Sequence, residues 1–514
     1  MPLRHIDGAD LDYHLVLFDS QGVERPEGDG RPLSAALRAL SADGVTDVFL
    51  CSHGWHNDVP GAIASYDQWI AAMAGQTADL ARARALDPAF RPLIVAVHWP
   101  SLAWGTEGDG AALLGDDPEA DPFAAELAMS PGELAMRYAE RIADTPAARR
   151  ALADITAAAD DAWAADDWAA DAWTADAWTA DACAAADDWA AGLLTAGGLP
   201  PYLEDAYQTL FAEAGLGLDG AGAAPGDDQQ VFSPAGVMAA WGEAEAAGAT
   251  GPGPDDRGSA VAPVRDGPGT PGLLGDSGPR KGLPANLKNA LLTPLRQLSF
   301  WTMKRRARRV GETGVHALLA SLRESAPGAR FHLMGHSFGC IVACAAITGP
   351  IDQGVPADPV HSLLLAQGAL SLWSFAEAIP FPPAAAGYFR PLGGPPPLVT
   401  GPIVATTSRF DHAVGTFYPL AARLGNERLL GDELPEFGGV GAFGIQGIRA
   451  GGGRESPVLG ADADYGFDGG VVYNIEASAV IRRGGWPAGA HGDIAHPEIA
   501  HLCWQAALSV IETA

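Results

Sequence analysis

Cysteine is scarce in this sequence, which has five cysteines at irregular spacing among 514 residues. An odd, unpatterned set of this kind is not the framework of a disulfide-rich secreted fold, and it favours a reducing compartment. The first residues lack the apolar core of a signal peptide, and no apolar run is long enough to span a membrane. We therefore expect a cytoplasmic protein without stable membrane insertion.

Basic residues are also few, with 32 Lys and Arg against 63 Asp and Glu and a net charge of −31. Nucleic acids and anionic membrane surfaces both select a basic footprint, so we expect neither as a partner. One basic cluster occupies residues 304–309. In so acidic a chain it is better interpreted as a solvated helix face paired with carboxylates than as a nucleic-acid patch. Phosphate loops and dinucleotide fingerprints are missing too, and we expect no cofactor.

Short apolar runs recur along the two ends of the chain and alternate with stretches at helical spacing. The runs that predict buried strands are residues 13–19, 45–51, 93–98, 331–335, 361–369, 402–408 and 471–477. Strands that alternate with helices indicate βα units and a mostly parallel sheet. The predicted fold class is therefore α/β, with a central sheet flanked by helices.

The middle of the chain, from about residue 101 to residue 284, shows no sheet pattern. Residues 161–191 are rich in Ala and Asp, with Trp163, Trp168, Trp173 and Trp178 at five-residue spacing. On an α-helix, steps of five residues advance by a net of about 140°, so these side chains spiral around the helix. We interpret the segment as a helix-prone repeat that is half-buried in a cap. An aromatic surface that covers the active site, or that meets a lipid or a protein partner, is the alternative.

Two further segments precede the second group of predicted strands. Residues 215–282 are dominated by Gly, Pro, Asp and Ala and predict a long disordered loop, because such a composition buries too little apolar area to offset its ordering entropy. From about residue 286 to residue 324, leucines and other apolar residues recur at helical spacing. Pro294, Gly311 and Gly314 interrupt that pattern, and we expect kinks or breaks there.

The chemistry of the chain points to the segment Gly335-His336-Ser337-Phe338-Gly339. It follows a predicted strand and precedes a helix-like stretch, which is the context in which a Gly-x-Ser-x-Gly turn presents a nucleophile. The glycines allow neighbouring backbone to pass closely, and the turn strains the serine so that its hydroxyl points out of the sheet. An incidental glycine-rich turn is the alternative interpretation.

This segment resembles the nucleophile elbow of the α/β-hydrolase superfamily. The segments His53-Gly54-Trp55 and His98-Trp99-Pro100-Ser101, each at the end of an apolar strand, are similar to motifs of a poorly characterised group of bacterial serine hydrolases. The resemblance covers about residues 10–105 and 286–514. It implies a hydrolase core in two halves, residues 1–105 and 286–514, which a large helical and partly disordered insertion at residues 106–285 interrupts.

The resemblance also implies a set of site residues. Ser337 is the expected nucleophile, His491 the general base and Asp411 the carboxylate that orients the base, in the chain order Ser, acid, His. The backbone N–H groups of Phe338 and Trp55 are the expected oxyanion donors. A turn-capping role for Asp411, and His496 as the base in place of His491, remain the alternatives.

The expected reaction is hydrolysis of a carboxylic ester, with a small-molecule or lipid ester as substrate. A catalytically weak scaffold whose insertion binds a protein partner, and an acyltransferase that uses the same triad, are the alternatives. His53, His56 and Asp58 suggest metal ligands by residue type, but no second cluster combines with them, and we expect no metal.

Overall fold

A mostly parallel sheet organises the part of the chain that the structure, a computed structural model, describes. The described residues are 3–6, 11–26, 30–55, 58–101, 124–172, 199–216, 232–239, 283–350, 359–380, 386–414, 429–430, 434–435, 438–449, 451–484 and 489–512. His56, Trp173 and Trp178, which the sequence analysis singled out, lie outside these ranges. Within them, no helix is both long and apolar enough to cross a membrane.

The strands of the described residues form one large sheet and one short ribbon. They span Leu3–His5 (β1), Asp12–Leu17 (β2), Asp47–Ser52 (β3), Pro92–His98 (β4), Arg330–His336 (β5), Ser362–Ala366 (β6), Ile403–Thr407 (β7), Leu429–Leu430 (β8), Leu434–Pro435 (β9), Gly453–Pro457 (β10) and Val472–Glu476 (β11). The large sheet has the order β1-β2-β4-β3-β5-β6-β7-β11-β10. Strand β1 runs antiparallel to β2, and the other neighbouring pairs are parallel.

This sheet confirms the α/β fold class, and the apolar runs of the sequence predicted seven of its nine strands. The two strands that the sequence analysis missed are β1 and β10. Both lie at an edge of the sheet, and β10 has the sequence Gly-Arg-Glu-Ser-Pro, which is mostly exposed. An edge strand of polar residues carries no apolar pattern, so the sequence gives no signal for it.

Helices cover both faces of the sheet and form a separate cluster. They span Leu33–Ser41 (α1), Val59–Ala74 (α2), Thr77–Leu86 (α3), Ala124–Leu127 (α4), Pro131–Arg141 (α5), Pro146–Ala172 (α6), Pro201–Glu213 (α7), Leu283–Val310 (α8), His316–Ser325 (α9), Gly339–Thr348 (α10), Val440–Phe443 (α11) and Pro497–Ile511 (α12). Helix α6 includes Trp163 and Trp168, in agreement with the expected helix-prone repeat.

The sheet has an apolar layer on each face because neighbouring strand residues point to opposite sides. Leu50 and Leu333 are buried on one face together with helices α9 and α10. Phe49 and Met334, their immediate neighbours in sequence, are buried on the other face together with helices α2 and α12.

Helix α8 connects the insertion to the sheet. Its first part packs with α5, α6 and α7 around a third apolar cluster that includes Leu295 and Trp301. Its last turns, with Met303 and Val310, belong to the core of the sheet. The predicted boundaries at residues 105 and 285 remain predictions, and α8 contributes to both parts.

The regular α-helix of this segment is interrupted at two of the three residues expected to mark kinks or breaks, Gly311 and Gly314. Pro294 lies inside α8, and Gly311 lies in a π-helical turn, Gly311–Val315, that continues directly into α9. Gly311 is also required by close packing, since a Cβ there would lie 2.6 Å from the Cβ of Ala345 on α10.

One part of the expected disordered loop is ordered. Residues 232–239 contain a short helical segment, and Phe232, Val237 and Met238 are buried in the apolar cluster of the insertion. The Phe232 carbonyl also accepts a hydrogen bond of 3.0 Å from the Gln208 amide. The segment thus has three buried apolar residues within eight positions. The sequence analysis missed them because it considered the average composition of residues 215–282.

Candidate active site

The strand order creates a crevice between β3 and β5. The chain passes from β3 to β4 on one side and from β5 to β6 on the other, although β3 and β5 are neighbours. In open α/β sheets, ligands bind at the carboxyl ends of the strands at such a switch point. Ser337 follows β5 there, and His53, Gly54 and Trp55 follow β3.

Ser337 has strained backbone geometry. Its φ is 55°, and Gln367 is the other non-glycine residue with positive φ in the described ranges. A left-handed conformation costs an L-residue about 1–2 kcal/mol, so the surroundings must hold it. The Ser337 carbonyl accepts hydrogen bonds from the N–H groups of Cys340 and Ala369, at 3.1 and 3.2 Å.

The two glycines of the turn are required by close contacts. A Cβ on Gly335 would lie 2.5 Å from the Gly339 carbonyl oxygen, and a Cβ on Gly339 would lie 2.2 Å from the carbonyl oxygen of Ser52 at the end of β3. Contacts of that length are not tolerated, so a larger residue at Gly335 would clash within the turn and one at Gly339 would push the turn away from β3. The first glycine of the Gly-x-Ser-x-Gly pattern therefore reflects the tightness of the turn, and the second its close approach to β3.

Ser337, His491 and Asp411 form a continuous hydrogen-bonded row. The Ser337 Oγ lies 2.7 Å from His491 Nε2, and His491 Nδ1 lies 2.8 Å from Asp411 Oδ2. The three residues are buried, with 4%, 7% and 1% of their surfaces exposed. Because a carboxylate accepts the Nδ1–H of the ring, Nε2 is left as the acceptor for the serine hydroxyl.

Asp411 is held by more than the histidine. Its Oδ2 also accepts a hydrogen bond of 2.8 Å from the Gln367 amide, and its Oδ1 accepts one of 3.1 Å from the Val414 N–H. The Gln367 side chain is fixed in turn, since its Oε1 accepts from the Thr406 hydroxyl at 3.0 Å. Sequence reasoning missed Gln367, and only its polar type at the end of β6 could have indicated it.

His491 lies in a loop that is tied to Asp411. Gly489, with φ 63°, forms an isolated bridge with Asp411, and the Ala490 N–H donates to the Phe410 carbonyl at 2.8 Å. A Cβ on Gly489 would lie 2.2 Å from that same carbonyl oxygen. The glycine thus lets the loop approach closely enough for the ring of His491 to reach Asp411.

His336, the residue before the serine, fixes the backbone of His491. Its Nε2–H donates to the His491 carbonyl at 2.9 Å. Burial, and then the nearby charge of a protonated His491, lower the pKa of His336 to about 4, so the ring is neutral near pH 7. The sequence analysis assigned no role to His336.

His496 lies away from the serine. Its Nε2 is 2.8 Å from Asp493 Oδ1, and it stands directly before helix α12. The structure therefore brings His491, and not His496, to Ser337.

The segment His53-Gly54-Trp55 is locked against the end of β4. The His53 ring donates from Nδ1 to the Gly54 carbonyl at 2.7 Å, and its Nε2 accepts from the Trp99 N–H at 3.3 Å. The Trp99 indole donates back to the His53 carbonyl at 3.1 Å. Burial, and then the proximity of His98, hold the pKa of His53 well below its ordinary value.

This locking fixes the direction of the Trp55 N–H. The Gly54 carbonyl and the Trp55 N–H belong to one planar peptide and point to opposite sides of it. Holding the carbonyl on His53 therefore aims the N–H away from His53. Gly54 also lies against the serine, because a Cβ there would be 2.6 Å from the Cβ of Ser337.

Phe338 offers a second backbone donor. It directly precedes helix α10, where unsatisfied N–H groups and the helix dipole favour negative charge. Among the described residues, none accepts a hydrogen bond from the Phe338 N–H. The structure thus places both residues expected as oxyanion donors beside Ser337.

Among the described residues, no group of three His, Cys, Asp or Glu side chains is arranged to hold a metal ion. Two of the residues that suggested a metal by type have other partners. His53 is bound as above, and Asp58 caps helix α2 by accepting from the Gly61 N–H at 2.7 Å.

The fold and the site together define an α/β protein with a buried Ser–His–Asp row at the carboxyl ends of its strands. No protein-family model, curated protein or solved structure matches the chain.

Proposed function

We propose that the protein is a serine hydrolase that cleaves a carboxylic ester through an acyl-enzyme. The observation that carries this proposal is the row Ser337–His491–Asp411, with hydrogen bonds of 2.7 and 2.8 Å and its serine on a strained turn. A serine hydroxyl is a weak nucleophile and needs a base that a third group orients. The row supplies both.

The first step forms the acyl-enzyme. The Ser337 oxygen attacks the ester carbonyl while His491 Nε2 takes the hydroxyl proton, and the carboxylate of Asp411 stabilises the imidazolium. The tetrahedral intermediate then collapses, and His491 returns the proton to the departing alkoxide, which leaves as the alcohol.

The second step releases the acid. A water molecule gives a proton to His491 Nε2 and attacks the acyl carbonyl, and the collapse of the second tetrahedral intermediate returns the proton to Ser337. In both steps the negative oxygen would accept hydrogen bonds from the N–H groups of Phe338 and Trp55. Donors that are fixed before the reaction stabilise such charge without reorganisation.

The resemblance to α/β-hydrolases supports this assignment. The serine stands between a strand and a helix, the catalytic residues follow in the order Ser, Asp, His, and the second donor follows the third strand, as in that superfamily. A hydrogen bond from Gln367 holds the carboxylate of Asp411, and a hydrogen bond from His336 holds the backbone of His491, so that both side chains stay aligned with Ser337.

Chromogenic esters of graded acyl length test the proposal. Wild-type protein should hydrolyse at least one of them, and Ser337→Ala should lose about 10⁴-fold or more of kcat/KM with an unchanged melting curve. His491→Ala should lose activity to a similar degree, whereas His496→Ala should keep it. A Ser337→Ala protein that retains a tenth of the activity would exclude Ser337 as the nucleophile.

Product analysis with added alcohols separates hydrolysis from acyl transfer to an alcohol.

A further inference from the structure

An aromatic cluster joins the two expected oxyanion donors to the helical insertion. The ring of Phe300, on α8, lies 5.0 Å from the ring of Phe338 and 5.5 Å from the ring of Trp55, measured between centroids. The rings of Trp55 and Phe338 are themselves 5.5 Å apart. Phe300 thus contacts the side chains of both residues whose N–H groups face the oxyanion in the proposed mechanism.

Phe300 also lies at the boundary between two apolar clusters. It packs against the core of the sheet and against the cluster of the insertion. Its neighbour Trp301 is fully buried among the helices of the insertion, and Met303 is buried in the core of the sheet. Any change in the packing of the insertion that moves α8 therefore moves the Phe300 ring against Trp55 and Phe338.

We propose that Phe300 is a positioning residue that couples the helical insertion to the oxyanion hole. The inference rests on the proposed function and assigns a role to the insertion within it. The Trp55 N–H belongs to the peptide between Gly54 and Trp55. The His53 ring holds the Gly54 carbonyl of that peptide, and the Phe300 ring packs against the Trp55 side chain. Oxyanion donors act only within a narrow range of distance, and a displacement of about 1 Å can reduce rates by about 10²-fold.

The variants Phe300→Ala and Phe300→Tyr test this coupling, with Phe211→Leu as the matched control. Phe211 lies on α7 and stacks with Phe232 and against Trp301 inside the insertion. The substitution Phe211→Leu therefore loosens the same helical cluster without removing the Phe300 ring that contacts Trp55. Steady-state kinetics on an ester substrate, affinity for phenylboronic acid and melting temperature are measured for each protein.

Phe300→Ala should lower kcat by about 10- to 100-fold with KM changed less than about threefold, because the lost interaction is made in the transition state. Affinity for the boronic acid, whose serine adduct is tetrahedral, should fall by a similar factor. Phe300→Tyr keeps the ring and should retain most of kcat. Phe211→Leu should lower the melting temperature and leave kcat within about threefold.

Two outcomes would overturn the coupling alone. One is an unchanged kcat and boronic-acid affinity in Phe300→Ala while wild type reacts with a fluorophosphonate at Ser337. The other is an equal loss of kcat in Phe300→Ala and Phe211→Leu at equal loss of stability, since that would show a general structural effect. A wild-type protein that does not react at Ser337 would overturn the proposed function and the coupling together.

Discussion

The described residues contain two Ser–His–Asp rows, one at each end of the sheet. The carboxyl-end row is Ser337, His491 and Asp411. In the amino-end row, His332 Nδ1 lies 2.8 Å from Ser362 Oγ and His332 Nε2 lies 3.2 Å from Asp47 Oδ1. Both rows are buried. Because the same three residue types form a hydrogen-bonded row at both ends of the sheet, such a row does not by itself single out the candidate site.

The carboxylates of the two rows differ in their partners. Arg330 binds Asp47 through two hydrogen bonds of 2.7 Å and reaches Asp87 at 2.8 Å. Burial alone would raise the pKa of Asp47, but hydrogen bonds from His332 and Arg330 hold it well below its usual range. A permanent guanidinium thus neutralises Asp47. Asp411 instead contacts His491, the Gln367 amide and the backbone N–H of Val414.

The serines differ as well. Ser362 is the first residue of β6 and pairs with His332 in the regular ladder of the sheet. Ser337 stands on a left-handed turn before a helix, beside backbone donors that can stabilise an oxyanion. The strained turn and the nearby donors, in addition to the row, therefore define the candidate site.

The largest expected effect separates the two aspartates. Asp411→Asn should lower kcat/KM by about 10⁴-fold, because an amide no longer holds His491 in the tautomer that accepts the serine proton. Asp47→Asn should leave kcat per folded molecule nearly unchanged and should destabilise the fold by at most about 3–5 kcal/mol, because Arg330 loses a buried carboxylate and keeps Asp87 as its partner. Ester kinetics and urea unfolding check both variants.

The account fails for these residues if the effects are reversed. A loss of turnover in Asp47→Asn at temperatures where it is fully folded would place the amino-end row in the chemistry. An Asp411→Asn protein with near wild-type turnover would reduce Asp411 to a turn-capping residue.

A smaller effect concerns the dependence of stability on pH. Burial, and then the charge of His332, lower the pKa of His361, at the amino end of the sheet, to about 4. The unfolded chain takes up that proton near the ordinary value of about 6.5, so the unfolded state binds more protons between these values. Stability should therefore fall as pH decreases from about 6.5 to 4.

Asp47 acts in the same direction only at lower pH, since its low pKa in the folded state contributes stability that is lost as pH falls below its ordinary value of about 3.9. His501 acts oppositely: hydrogen bonds to Asp79 and Ala463 outweigh burial and raise its pKa, so its contribution is lost as pH rises. Melting curves from pH 7 to pH 4 measure the net slope. His361→Gln should reduce the drop in melting temperature between pH 7 and pH 4 by a few °C. An unchanged drop would contradict the assignment.

The smallest expected effect concerns the glycine- and proline-rich segment. Replacing residues 240–282 with a Gly/Ser linker of half that length should change the melting temperature little, since loop-closure entropy varies slowly with length. Replacing residues 216–282 should lower it clearly, because Phe232, Val237 and Met238 leave the core of the insertion. Equal melting temperatures for the two variants would show that the buried segment contributes nothing.

Local signals in the sequence predicted seven of the nine strands of the sheet, and the resemblance to α/β-hydrolases supplied the proposed triad. Buried strands appear as apolar runs, and Ser337, Asp411 and His491 each follow a strand in a recognisable order. The supporting residues were not predictable, because their partners are distant in sequence. Gln367 meets Asp411 only because β6 and β7 are neighbours, and Phe300 meets Trp55 only because α8 packs against the core of the sheet. One sequence gives no register for such contacts.

The most direct measurement of the central claim is the site of covalent modification by a fluorophosphonate. The reagent phosphonylates a serine that a neighbouring base activates, and peptide mapping by mass spectrometry identifies which serine carries the adduct. The account predicts one adduct per chain, on Ser337, that is lost in Ser337→Ala and retained in Ser362→Ala. An unmodified wild-type protein, or an adduct on Ser362 in place of Ser337, would contradict it.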